Sequence, residues 1–256
     1  MLVSERRDLL LARLRRDGRI IAKDVAAELG VGEDSVRRDL RELAAAGLCQ
    51  RVYGGALPVS PAVGDHAART QVASDSKRRV AAAAVGLVRP GCTLLLDGGT
   101  TALEVARALP ADLRATVVTH SVTVAAALVE HPSVDVVVLG GRLFKHSAVT
   151  SGAAAAEAAA TVAADLFLLG VTGVHARAGL TTGDPDEAAM KRLLAERAAE
   201  TWVLASVEKV GAASPYTVLP LDRVAGIVID APPGAAAVAD LTALGVPLLD
   251  AADPTA

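Results

Sequence analysis

The sequence predicts an α/β fold class in two parts: an N-terminal winged helix-turn-helix joined to a larger Rossmann-like α/β domain. Three observations predict it. The segment Glu33–Gly47 has helical spacing, with apolar residues on one side and arginines on the other. From residue 75 onward, short aliphatic runs recur between helical segments, as expected of parallel strands covered on both faces. Finally, 52 % of the 256 residues are hydrophobic but only 2 % are aromatic, so Val, Leu, Ile and Ala must fill the cores, and a chain of this length defaults to two domains.

Ser4–Arg16 reads as a first helix, with Leu10 and Leu14 one turn apart and Ser4 as its N-cap. Asp24–Leu29 follows, burying Val25 and Leu29, and Gly30-Val31-Gly32 permits a sharp bend. In the third helix, at about 100° per residue, Val36, Leu40 and Leu43 fall within roughly 60° of one another. Arg37, Arg38 and Arg41 lie on the outward side, where Glu33, Asp34, Asp39 and Glu42 could balance them as an ordinary solvated face. A strand over Leu48–Val52, turning at Gly54-Gly55 and carrying Arg51 and Tyr53, completes a wing. A short helix offering three guanidinium groups fits the major groove of double-stranded DNA. Ser35, Arg37, Arg38 and Arg41 would meet bases or adjacent phosphates, and Arg51 and Tyr53 the backbone.

Residues 1–56 hold 11 Lys and Arg against 9 Asp and Glu, whereas the remainder holds 15 against 20. A mildly basic head on an acidic body suits contact with DNA at one end only. So small an excess gives modest affinity, so a dimer that doubles the phosphate contacts is expected. Scarce aromatics argue against stacking platforms for single strands. Cys49 and Cys92 are the two cysteines and five histidines are scattered, which predicts a reducing cytoplasm, no disulfide, no metal and no cofactor. No apolar run approaches membrane-spanning length, and the N-terminus lacks a signal-peptide layout. The expected organisation is a DNA-binding domain over 1–57, a linker over 58–74 marked by Pro58, Ser60, Pro61 and Gly64, and an α/β domain over 75–256.

In that larger domain the pattern predicts helices over Lys77–Val88, Ala102–Leu109, Val122–Glu130, Ala153–Ala163 and Glu187–Thr201, the last capped by Asp184 with Pro185 first. Strands are predicted over Thr93–Leu96, Thr116–Thr119, Val134–Leu139, Leu166–Val171, Val203–Ala205 and Ile227–Ile229. Ligands in such sheets bind beyond the carboxyl ends of the strands. The first end, Asp97-Gly98-Gly99-Thr100-Thr101, offers backbone N–H groups, hydroxyls and a helix N-terminus, an anion cradle suited to phosphate. The other ends bring Ser121 after Thr119-His120, Gly141 ahead of Arg142 and Lys145, and Thr172 with Gly173. The Gly179–Gly183 loop adds Thr181 and Thr182. Each could be a plain cap or turn; five ends on one side of a sheet favour a pocket. Glu187 and Lys191, at i and i+4, either form an exposed pair or point over the pocket mouth. Lys209 is a candidate cation for the ligand.

From Glu5 to about Leu249 the chain resembles the DeoR family of transcriptional regulators. The resemblance rests on Ser35–Ala56 (SVRRDLRELAAAGLCQRVYGGA), Lys77-Arg78, Leu96–Thr101 (LDGGTT), Val118–Ser121 (VTHS), Leu139–Gly141, Gly179–Thr182 (GLTT) and Glu187–Arg192 (EAAMKR). It implies a homodimer or homotetramer that binds an operator, represses sugar-catabolism genes and releases DNA when a phosphorylated sugar or similar metabolite enters the C-terminal domain. It also implies a C-terminal fold similar to ribose-5-phosphate isomerase. The chain departs from the family pattern at Gly32 (usually a serine cap), Tyr53 (a wing histidine), Thr172 (an aspartate) and Ala205–Lys209, where ASVEK replaces A-D-S-S-K. Two alternatives stay open: a sugar-phosphate isomerase-like enzyme with Glu187 as base, and a regulator without a functional effector pocket.

Overall fold

The computed structural model describes residues 1–60, 64–232 and 234–252. Pro61 of the expected linker and the last four residues lie outside them. The N-terminal part comprises α1 (Val3–Asp17), β1 (Ile20–Ile21), α2 (Ala22–Leu29), α3 (Glu33–Ala45), β2 (Gln50–Val52) and β3 (Gly55–Leu57). Leu10, Leu14, Val25, Val36, Leu40 and Leu43 meet in one core, with Leu29 partly buried at its edge. Gly30 closes α2 in the left-handed region at φ 62°, its N–H bonded to the Ala26 and Ala27 carbonyls, so the predicted bend is a left-handed helix cap. Ser4 is inside α1 rather than its cap. The helix begins at Val3, and the Leu2 N–H donates to Glu5 at 2.9 Å.

The small sheet runs β1-β3-β2, all antiparallel, and sets the β2–β3 hairpin beside α3 as the wing. Gly55 permits the close approach of β3 to β1: a β-carbon there would stand 1.8 Å from the Ile20 carbonyl oxygen. Gly55→Ala should therefore displace the wing strand, at a cost of about 1–3 kcal/mol by the usual penalty for overpacking. Thermal unfolding followed by circular dichroism checks this, and an unchanged midpoint would refute so tight a contact.

The larger part contains α4 (His66–Thr70), α5 (Ser74–Val85), β4 (Thr93–Leu96), α6 (Thr100–Ala108), β5 (Ala115–Thr119), α7 (Val122–Leu128), β6 (Val134–Val138), β7 (Arg142–Phe144), β8 (Val149–Ser151) and α8 (Ala153–Ala160). It continues through β9 (Ala164–Gly170), β10 (Gly173–His175), β11 (Gly179–Thr182), α9 (Pro185–Glu196), β12 (Ala198–Ala205), β13 (Tyr216–Leu219), β14 (Gly226–Ile229), α10 (Ala236–Ala243) and β15 (Leu248–Asp250). Seven strands form one sheet in the order β15-β14-β12-β9-β4-β5-β6, every pairing parallel. Side chains alternate across it. Leu94, Leu96, Leu166 and Leu168 pack under α5, α6 and α7, while Leu95, Phe167 and Leu169 pack under α8 and α9.

From β4 the chain steps outward to β5 and β6, then returns to β9 on the other side of β4. The winding direction thus reverses between β4 and β9, and the crevice beyond their carboxyl ends is where such a sheet admits a ligand. Two sequence expectations change here. The helix expected to run to Thr201 stops at Glu196, because residues 198–201 open β12 and pair with β9 from Ala198↔Ala164 onward; alanine's helix propensity yields to the sheet. Gly179–Thr182 is no loop but strand β11 of a separate antiparallel sheet, β10-β11-β13, so four of the five expected ends belong to the main sheet. Among the described residues, no helix is long and apolar enough to cross a membrane.

Candidate functional site

At the N-terminal face, α3 turns its apolar stripe inward and leaves Arg37, Arg38 and Arg41 exposed. The acidic residues on the same helix do not cancel all three. Asp39 is only 1 % exposed and accepts from Arg6 and Arg7 of α1, and Glu42 pairs with Arg7. Asp39, expected at the surface, instead ties α1 to α3. Arg37 is held by Glu33 at 2.7 Å, which raises its already high pKa. Arg38 and Arg41 make no ion pair among the described residues, so their guanidinium groups stay available to an external anion. Ser35 is half-buried at the helix start, while Arg51 and Tyr53 stand exposed on the wing.

At the switch point, Asp97 is fully buried and saturated. Its Oδ1 accepts from the Gly98 N–H at 2.8 Å and from His120 Nε2 at 2.9 Å; its Oδ2 accepts from the Gly170 N–H at 2.8 Å and from Lys191 Nζ at 2.5 Å. One carboxylate therefore bridges the ends of β4 and β9 and fixes a lysine on α9. Burial alone would raise its pKa, but the Lys191 ammonium and the His120 hydrogen bond more than reverse this and hold the carboxyl well below the usual carboxylate range. The other ring nitrogen of His120 lies 3.1 Å from the Thr150 carbonyl of β8.

Above that carboxylate lies a pocket lined by Gly98, Gly99, Thr100 and Thr101, by Gly170, Val171 and Thr172, and by Thr182 and Glu187. Four cations converge on it: Arg69, Lys77, Lys191 and Lys209. The first-turn N–H groups of α6 have no intrahelical acceptor and add partial positive charge. Gly99 makes the entry to that helix at φ 102°, a conformation that favours glycine. Lys209 donates to Thr101 Oγ1 at 2.9 Å and to the Leu204 carbonyl at 3.2 Å. Burial, aided by the like charges of Lys77, Arg69 and Lys191, pushes its pKa down to about 8 against the pull of Glu208. Lys77 and Arg69 are lowered too, chiefly by burial. A cluster of cations each penalised by burial and by its neighbours is relieved by an incoming anion.

Nine expected residues thus share one pocket: Gly98, Gly99, Thr100, Thr101, Thr172, Thr182, Glu187, Lys191 and Lys209. Glu187 and Lys191 point over it, not out to solvent. Five others serve packing. Asp97 lies beneath the floor, where its charge holds Lys191 and would repel an anion. Ser121 is buried and accepts the Val124 N–H to cap α7. Gly141 packs where a β-carbon would come within 2.9 Å of Ala155 and of the Ser151 carbonyl, and Gly173 where one would meet the Ala212 carbonyl at 2.6 Å. Thr181 donates to the Gly173 carbonyl and accepts from the Ser214 N–H. Thr172 reaches the pocket, but its hydroxyl is engaged by the Thr181 carbonyl and Ser214.

Sequence reasoning missed Arg69 and the role of Lys77. Arg69 falls in the expected linker, which folds as α4 against the larger domain, with the His66 N–H bonded to the His146 carbonyl at 2.7 Å. Asp65, which caps α4 by accepting the Ala68 N–H, was the available signal. For Lys77 the signal was its place on the buried stripe with Val80, Ala81 and Ala84. Among the described residues, no group of three or more His, Cys, Asp or Glu could hold a metal ion.

A winged helix-turn-helix with an outward arginine edge, carried on an α/β domain with a cationic crevice, defines a DNA-binding regulator with a sensor domain. A family model for the DeoR-like helix-turn-helix domain matches residues 6–62, and one for the DeoR C terminal sensor domain matches residues 72–231. The chain belongs to the DeoR family of transcriptional regulators. It is 32 % identical over 236 residues to the HTH-type transcriptional regulator GlpR of Haloferax volcanii, covering 91 % of this chain and 92 % of that one. It is 30 % identical over 207 residues to the glycerol-3-phosphate regulon repressor of Haemophilus influenzae, covering 80 % and 81 %. Ribose 5-phosphate isomerase A of Methanocaldococcus jannaschii aligns at a TM-score of 0.40 and 20 % identity, over 53 % of this chain and 54 % of that one; so slight a likeness carries no argument about activity.

Proposed function

We propose that this protein is an effector-responsive repressor of carbohydrate-metabolism genes, acting in the cytoplasm as a homodimer or homotetramer. The α3 helix enters the major groove of an operator, with Ser35, Arg37, Arg38 and Arg41 toward bases and nearby phosphates and with Arg51 and Tyr53 on the backbone. The effector is a phosphorylated sugar or related metabolite, whose phosphate sits between the α6 N-terminus and the cations. The names of the two relatives support the regulated gene class. The observation that carries the sensor reading is the convergence of Arg69, Lys77, Lys191 and Lys209 on the switch-point crevice. Binding occurs without turnover: Asp97 is locked by four hydrogen bonds, and position 172 supplies an engaged hydroxyl instead of a carboxylate.

Calorimetric titration with inorganic phosphate and with sugar phosphates tests this reading and has a pH signature. Lys209 is depressed to about 8, so raising pH through that value removes a positive charge from the pocket. Phosphate affinity should fall between about pH 7 and 9, and Lys209→Met should flatten the profile. For stability the sign is opposite: the unfolded lysine holds its proton to about 10.5, so the folded state gains stability as pH rises from 8 toward that value. Absence of phosphate binding at any pH would sink the proposal.

A further inference from the structure

The cationic pocket also contains an acceptor that nothing in the described chain uses. Glu208, whose side chain is 6 % exposed, sits in the single-turn helix Val207–Lys209 after β12 and lines the pocket. Its Oε1 accepts the Ser206 hydroxyl at 2.8 Å and stands 3.8 Å from Lys77 Nζ. Its Oε2 is buried without a hydrogen-bond partner among the described residues. A carboxylate oxygen can only accept, and leaving one buried without a donor is costly. The group that faces it must therefore be a donor, which excludes the phosphate itself. An ammonium donor would stand beside Lys77 and Lys209 and be repelled. A neutral hydroxyl is what remains.

We propose that Glu208 is a specificity-determining residue, which takes a hydrogen bond from a hydroxyl of the ligand while the surrounding cations take its phosphate. This rests on the phosphate-binding reading above and narrows it to a phosphorylated polyol or sugar. Ser206 then orients the carboxylate, because its hydroxyl occupies Oε1 and leaves Oε2 free for the ligand. Thr172, on the β9 side, has no free hydroxyl to do the same work, so the polyol is read from the β12 side of the crevice.

Titration calorimetry on the full chain tests this with inorganic phosphate, propyl phosphate, glycerol phosphate, ribose 5-phosphate, glucose 6-phosphate and glucosamine 6-phosphate. At least one neutral hydroxylated phosphate should bind more than tenfold tighter than propyl phosphate. Glu208→Ala should erase that advantage while strengthening propyl phosphate, because a negative charge leaves the pocket. Glu208→Gln, which keeps the size and one acceptor, should retain part of the advantage and covers the case in which the alanine variant does not fold. Equal affinity for propyl and hydroxylated phosphates, or an equal loss for both in the variants, would overturn the role of Glu208 but leave phosphate binding standing. A Glu208-dependent preference for glucosamine 6-phosphate over glucose 6-phosphate would replace the hydroxyl with an ammonium and overturn it too. If not even inorganic phosphate binds the native protein, the underlying reading fails with it.

Discussion

Asp97→Ala is expected to destabilise the larger domain by about 3–5 kcal/mol, the usual result of removing one partner from a buried ion pair. The substitution strands the Lys191 ammonium, which is 5 % exposed, and leaves the Gly98 and Gly170 N–H groups and His120 Nε2 without their acceptor. At roughly 2–4 °C per kcal/mol for a domain of this size, the melting temperature should drop by about 10 °C. Asp97→Asn should fall between the two, since an amide keeps one acceptor but loses the charge. The pH response separates charge from shape. Because the folded carboxyl titrates below its ordinary value of 3.8, its contribution is complete above that pH and is lost on acidification below it. Asp97→Asn should lack that acid-dependent component. Differential scanning calorimetry on the full chain measures both effects, and an unshifted transition in Asp97→Ala would show that the crevice is not held by this residue.

Arg38→Ala is expected to weaken operator binding roughly 10- to 100-fold, about 1–3 kcal/mol if the guanidinium reads a guanine. The double variant Arg38→Ala, Arg41→Ala should weaken it further, because neither arginine has an ion-pair partner among the described residues. Arg37→Ala should cost less, since Glu33 already holds that side chain at 2.7 Å and must release it for a phosphate. The measurement is a gel-shift titration of the full chain against a duplex selected from random sequence. A contact to phosphate rather than to a base lowers the dependence of log affinity on log salt by about one per site. Undiminished affinity in the double variant would place the DNA contact elsewhere on the molecule.

The N-terminal domain was nearly all legible in the sequence, because its information is local. Val36, Leu40 and Leu43 recur at helical spacing, Gly30 marks the helix end, and Gly54-Gly55 marks the hairpin. The strands of the main sheet were legible for the same reason: runs such as Thr93–Leu96 and Leu166–Val171 are aliphatic throughout, and only a sheet covered on both faces accepts that. The fate of the charges was not legible. Asp39 and Arg37 lie two residues apart on one helix, yet one is buried against α1 and the other faces solvent. Asp97 was placed correctly at a strand end but assigned to the ligand, because sequence does not reveal that Lys191, 94 residues later, saturates it.

By itself, the sequence determined the two-part architecture, the arginine edge of α3 and the glycine–threonine turn that opens α6, since each follows from contacts within about ten residues. Tertiary structure alone decided which cations form the pocket. Arg69 arrives from the connecting segment, Lys77 from a buried helix face, and Lys209 reaches Thr101 across 108 residues of chain. The reason is that a side chain's charge is local to its residue, whereas its burial and its partner depend on where the sheet's winding reverses, and no short stretch of sequence encodes that reversal.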